Sequence, residues 1–398
     1  MSDTVGGGID FDPYDPALTE PSVWDAYAAA RAAGPVVRSE HRGGFWLVTG
    51  FDDVRAALRD AGTYSSAHGH RVPTNGTQRA IPIDVDPPLH TAYRKLMTEA
   101  LSPAAVRRLR PFLERTVRDL VGPFAARGGG DLVREVALPL PLQVLTEVVG
   151  FSAETVRQFR ELTEEMWTGL ATGGATVDFP AMERRVYDLM HQEIAEHRAH
   201  RADDVVTALL DAEVDGRPIR PDEQAGILAT FAVAGHETTM NSAGALVHVL
   251  VEHPDLQDRL RADPALAPRC VEEVLRLRSP AQGAARRTTC PVDLAGTALD
   301  EGETVLLAIA AANRDPQRFP DPDRFDPDRD LRGHLAFGWG IHLCPGAALA
   351  RAELTVLLEV LREHPPLRAD GPPTWSGLRG GSHLGPTSLP VRFADPGA

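Results

Sequence analysis

Cys344 stands in FGWGIHLCPG, between a glycine-rich run and a segment of helical period, AALARAELTVLLEVLREHPP. At or just before a helix N-terminus, the macrodipole and unpaired N–H groups favour a thiolate. The residue is therefore a candidate nucleophile or metal ligand, with a buried inert cysteine as the plain alternative. A phosphatase-type loop needs Cys-x5-Arg so that an arginine closes over an oxyanion, and Arg351 falls one position too far along. A tetrahedral zinc site lacks ligands, since His342 is awkwardly close and no other Cys or His stands at ligand spacing. His68 and His70 in HGHR read as loop residues, and Cys270 and Cys290 are too scattered from Cys344 for a disulfide framework.

What remains is a thiolate as sole protein ligand of a cofactor metal, which suits haem iron because the porphyrin supplies the other four ligands. FGWGIHLCPGAALAR resembles the haem-binding signature of the cytochrome P-450 superfamily, through Phe337, Gly338, Gly340, His342, Cys344, Gly346, Leu349, Ala350 and Arg351. The resemblance makes Cys344 the axial ligand of haem b, with Phe337 shielding the sulfur and the glycines letting the loop approach the macrocycle. Pro345 has no N–H to give the sulfur, so the thiolate is expected to be more electron-rich.

Further motifs agree in the family's order. AGHETT, Ala234 to Thr239, resembles the oxygen-activation motif, with Glu237 and Thr238 as the proton-delivery pair. Both lie in an otherwise apolar helix, where a carboxylate is costly without work or partners. Thr238 can bond back to a carbonyl and, with Gly235, bend the helix. Ala234 and Thr230, one and two turns earlier, are expected to line the pocket. EEVLR sets Glu273 and Arg276 on one helical face; the resemblance makes them a structural pair, completed by Arg324 of PDRF. DPPLHTAYRKL sets His90 and Arg94 four apart, and the resemblance makes them haem-propionate partners with His342 and Arg286. Arg286 is preferred to Arg287 because it precedes Gly296 by ten residues.

These residues need a frame that is mainly α with small β-sheets: the P-450 fold, haem lying between a long central helix and the cysteine loop. The central helix begins at Pro221, with Asp222 and Glu223 in its first turn, and runs about 32 residues, nearly 50 Å. RCVEEVLRLRSP and the segment after Cys344 are two more helices. PVVRSE and GFWLVTG flank HRGG as a hairpin, and VDLAG and ETVLLAIA read as short strands. Residues 72–85 read as a loop without helical period and, with MWTGLATGGATVDFP, as the pocket lid. The chain reads as one domain over residues 1–398, with residues 1–8 a disordered tail.

Composition narrows the class. With 43% hydrophobic residues the chain can bury a large core, and a net charge of -15 argues against binding nucleic acid through overall charge. No stretch approaches a membrane span and the N-terminus lacks a signal-peptide pattern, so a cytoplasmic protein is expected. The resemblance implies monooxygenation: one atom of O2 enters an unactivated C–H bond of a small hydrophobic or natural-product-like substrate, typical of secondary metabolism, and the other leaves as water. No cysteine run and no strand followed by Gly-x-Gly-x-x-Gly is present, so no intrinsic flavin or iron–sulfur cluster is expected. Electrons are expected from a ferredoxin or flavodoxin with its reductase, docked with help from Arg107, Arg108 and Arg110. Oxidative coupling, ring formation or peroxygenation stay open as alternatives, and a haem sensor without turnover is the reading from another class.

Overall fold

The structure is a computed structural model, and it describes residues 8–73, 79–171, 178–375, 377–378 and 381–394. The central helix spans Pro221–Glu252. Proline at its first position suits a turn whose N–H is unpaired in any case. Glu223 closes that turn, taking the Arg220 N–H at 2.9 Å, both Arg217 guanidinium nitrogens at 2.8 Å, and the Tyr93 hydroxyl at 2.7 Å. A helix that is apolar all round must be buried. This one packs against helices Pro139–Val149, Phe179–Ala199, Ala267–Leu277 and Ala347–Leu361.

The largest sheet lies to one side of these helices. Its strands are β1 (Gly8–Ile9), β2 (Val36–Ser39), β3 (Phe45–Val48), β4 (Tyr64–Ser65), β5 (Ala284–Thr288) and β6 (Thr304–Leu307), in the order β1-β2-β3-β6-β5-β4. The expected hairpin is β2 and β3, antiparallel from Val36–Val48 to Ser39–Phe45. Gly8, expected in the tail, instead pairs with Arg38 as the first residue of β1; residues 1–7 lie outside the described residues. Of the lid segments, residues 74–78 and 172–177 also lie outside them. The described remainder of 72–85 holds neither helix nor strand. It is tied down: the Tyr187 hydroxyl donates to the Arg79 carbonyl at 2.9 Å, and Ile81 covers Gly226 of the central helix.

One structural assignment is corrected. Glu273 and Arg276 pair through two hydrogen bonds of 2.7 and 2.8 Å, both side chains fully buried. The third member is Arg329, not Arg324. Arg329 Nε donates to Glu273 at 2.9 Å, and its other nitrogens bind the carbonyls of Pro320, Asp321 and Arg324. Arg324 points to solvent, 66% exposed, and holds Asp326. The physical reason is the turn-rich segment PDPDRFDPDRD: it folds back on itself, so the second arginine returns to the helix while the first stays on the outer bend.

Candidate haem-binding site

The cysteine loop is shaped by backbone. Cys344 N–H donates to the Phe337 carbonyl at 2.8 Å, closing a loop whose Gly338 and Gly340 have φ of 72° and 70°. At Gly340 a Cβ would stand 2.5 Å from the Leu58 carbonyl oxygen and 3.0 Å from the Arg59 Cα. Glycine is thus required there on two counts, and the close approach is to the neighbouring helix Phe51–Arg59. After the loop, Gly346 caps helix Ala347–Leu361. Burial pushes the Cys344 thiol up, against the Gly346 N–H, the charges of Arg94 and Arg351, and the Ala347 N–H. The helix end therefore does not by itself make a thiolate. A bound metal ion would, since a coordinating thiol is deprotonated outright.

Four basic residues converge beside this loop: His90, Arg94, Arg286 and His342. Arg94 donates to the Leu343 carbonyl. The His90 and His342 rings stand 4.4 Å apart, and Ser66 Oγ lies 3.0 Å from His342 Nε2. Burial and the neighbouring Arg286, His90 and Arg94 lower His342 to about 3. Arg286 is buried and bonds only the adjacent Ala285 carbonyl at 2.7 Å among its resolved contacts; burial lowers it to about 10, against Asp84 and Asp86. Both ring nitrogens of His90 are buried without a hydrogen-bond partner among the described residues.

That arrangement is costly as it stands and fits a group carrying carboxylates. Unpaired buried donors and mutually repelling bases are what a pair of propionates would satisfy. The residues thus fit a haem held at Cys344 with its propionates toward His90, Arg94, Arg286 and His342.

The central helix supplies the other wall. Between Glu223 and Val251 Ala234 alone is exposed, and Val233, Gly235, Thr238 and His248 are half-buried. Thr238 Oγ1 bonds back to the Ala234 carbonyl at 2.8 Å, as its type allows. Thr230 is buried, its hydroxyl bonded to Gly226 O at 2.9 Å. Glu237 is buried, with His383 Nδ1 3.7 Å from its carboxylate.

Sequence reasoning missed His383, Ser66 and Glu272. His383 comes from a C-terminal segment bridged to Ala281, more than 140 residues from Glu237. No local pattern marks it. Arg110, grouped with Arg107 and Arg108, is held by Glu114 and Glu359, while the other two are exposed.

The long central helix, the cysteine loop and the cluster of bases together make a site that fits a haem held by a thiolate. Comparison agrees: the family profile described as Cytochrome P450 matches residues 176–364. Cytochrome P450 107B1 of Saccharopolyspora erythraea is 37% identical over 82% of this chain and 84% of its own length. The erythromycin C-12 hydroxylase of the same organism is 35% identical over 85% and 86%. In structure, cytochrome P450 CYP109Q5 from Chondromyces apiculatus superposes with a TM-score of 0.82 at 33% identity, covering 98% and 99% of the two chains. The chain belongs to the cytochrome P450 family. It is an oxidoreductase that incorporates oxygen from O2, using haem, a redox partner and a hydrophobic substrate. Among the described residues no helix is long and apolar enough to cross a membrane.

Proposed function

We propose that this monooxygenase hydroxylates or epoxidises an apolar natural-product-like molecule, with Cys344 as iron ligand and Glu237 and Thr238 as the proton-delivery pair. The observation that carries this reading is the opening at Ala234 in an otherwise buried helix, one turn before Thr238. When bound, the haem supplies the redox chemistry that splits dioxygen. The chain's part is to hold, orient and protonate. His90, Arg94, Arg286 and His342 anchor the propionates, and Phe337, Gly338 and Gly346 shape the sulfur side. Ala234 leaves room beside the ring. Thr238 keeps its hydroxyl lone pairs free to accept from water while its proton rests on the Ala234 carbonyl, and Glu237 holds the proton to be passed on.

A relative's name supports a natural-product-like molecule, since one is named Erythromycin C-12 hydroxylase. Exposed Arg107 and Arg108 support an acidic ferredoxin- or flavodoxin-type donor with its own reductase. Residues from Gly8 onward form one haem domain in this reading, and the protein works in the cytoplasm.

The test is to purify the protein with haem, record the ferrous carbonyl spectrum, and screen apolar compounds for spin-state shifts. A hit is then turned over and its product weighed. A gain of one oxygen is expected; loss of two hydrogens would place the enzyme among coupling catalysts instead. Glu237→Gln and Thr238→Ala are expected to cut product per electron by roughly 10²-fold, and unchanged coupling in both would remove them from proton delivery.

A further inference from the structure

Glu272 and Glu273 are adjacent on helix Ala267–Leu277, so they point about 100° apart around its axis. Glu273 turns into the buried triad. Glu272 turns toward the cysteine loop: Arg351 donates to it from Nε at 2.6 Å and Nη2 at 2.9 Å, and His334 Nε2 lies 3.0 Å away. The Arg351 guanidinium carbon sits 4.3 Å from the centroid of the Phe337 ring, and the Phe337 carbonyl accepts the Cys344 N–H. An unbroken line of contacts thus runs from Glu272 through Arg351 and Phe337 to the backbone of Cys344.

We infer that Glu272 and Arg351 are positioning residues that set the reduction potential of the cysteine-ligated iron, Arg351 as the cation held over Phe337 and Glu272 as its counter-charge. The inference rests on the reading of Cys344 as haem ligand. Reduction adds one negative charge at the iron, so an unbalanced cation nearby favours it and an unbalanced anion opposes it. In the intact pair the two charges offset each other. The side chains are 41% and 26% exposed, so the effect is screened by salt and stays modest.

Removing either charge alone should move the potential in opposite directions. Glu272→Gln keeps an acceptor for the guanidinium but strips its counter-charge, and the potential is expected to rise. Arg351→Gln leaves Glu272 uncompensated, and the potential is expected to fall. The double variant should return toward wild type, and Arg351→Lys, which keeps the charge and loses the fork and the stacking, should fall less than Arg351→Gln. The measurement is spectroelectrochemical titration of the full-length haem-loaded protein at low and high salt, each variant first checked for a thiolate-type ferrous carbonyl band. Shifts of the same sign in both single variants, or none in either, overturn the inference while leaving the haem reading intact. A wild-type protein without that band overturns the reading of Cys344 and this inference with it.

Discussion

Glu272 and Glu273 are neighbours in sequence and belong to different parts of the machine. Glu273 is fully buried in a closed network, meeting Arg276, Arg329 and the Asp326 N–H. Glu272 is partly exposed and serves a single outward-facing cation and a histidine. Burial decides what each can do. A buried ion pair that loses one partner strands a charge in low dielectric, so it acts on folding. A half-exposed pair is partly screened, so it acts on the field at the site it touches.

The comparison breaks first at the buried end. Glu273→Ala or Arg276→Ala is expected to cost about 3–5 kcal/mol, because each leaves an uncompensated buried charge; the measurement is the yield of folded, haem-loaded protein and its urea midpoint. Arg329→Ala should behave likewise, for it is 9% exposed and bonds Glu273 directly. Arg324→Ala should stay within about 0.5 kcal/mol of wild type. Equal losses at Arg324 and Arg329 would return the triad to its sequence-based assignment.

That assignment went astray for a physical reason. Asp321–Arg324 and Asp326–Arg329 are two copies of Asp-Pro-Asp-Arg in tandem, and only the path of the turn decides which arginine comes home. The cysteine loop and the central helix were legible because their constraints are local: glycines where φ is positive, a proline and acids at a helix start, an apolar run of helical length. Arg94, His90 and His342 were legible through the family resemblance. Glu272–Arg351, Ser66–His342 and Glu237–His383 were not, since each joins segments far apart in the chain through contacts that no spacing encodes.

A third carboxylate sharpens the rule that burial decides the role. Glu353, on the helix that follows Cys344, is buried, and burial raises it to about 8 from an ordinary value near 4.5. With the folded value above the unfolded one, the native state binds the extra proton between them, so stability falls as pH climbs from about 4.5 through about 8. Glu353→Gln removes that dependence. Its stability relative to wild type is expected to improve by a few kcal/mol, on the order of 1.4 per pH unit over this window, between pH 5 and pH 9. An identical pH slope in both proteins would mean that Glu353 has a partner in solution.

Paired and unpaired arginines on the outer face offer a milder break. Arg107→Glu and Arg108→Glu, at exposed positions, are expected to slow reduction by an acidic donor about 10-fold at low salt and little at high salt. Arg110→Glu should act mainly on stability, since it faces Glu114 and Glu359. Stopped-flow reduction at two ionic strengths separates them, and equal slowing by all three would dissolve the distinction.

The smallest expected effect lies next to the ligand itself. The backbone N–H groups of Gly346 and Ala347 counter the burial that pushes the Cys344 thiol up, and Pro345, between ligand and donors, has none to add. Each N–H on a thiolate draws electron density from it, so Pro345→Leu, by restoring a donor, should raise the iron reduction potential. An unchanged or lowered potential would mean that the new N–H does not reach the sulfur. The direction is the same as for Glu272→Gln, but the cause is a contact at bonding distance rather than a field from a half-exposed charge. The Pro345→Leu shift should therefore persist at high salt, where that of Glu272→Gln shrinks, and two shifts with the same salt dependence would show that both residues act through one electrostatic route.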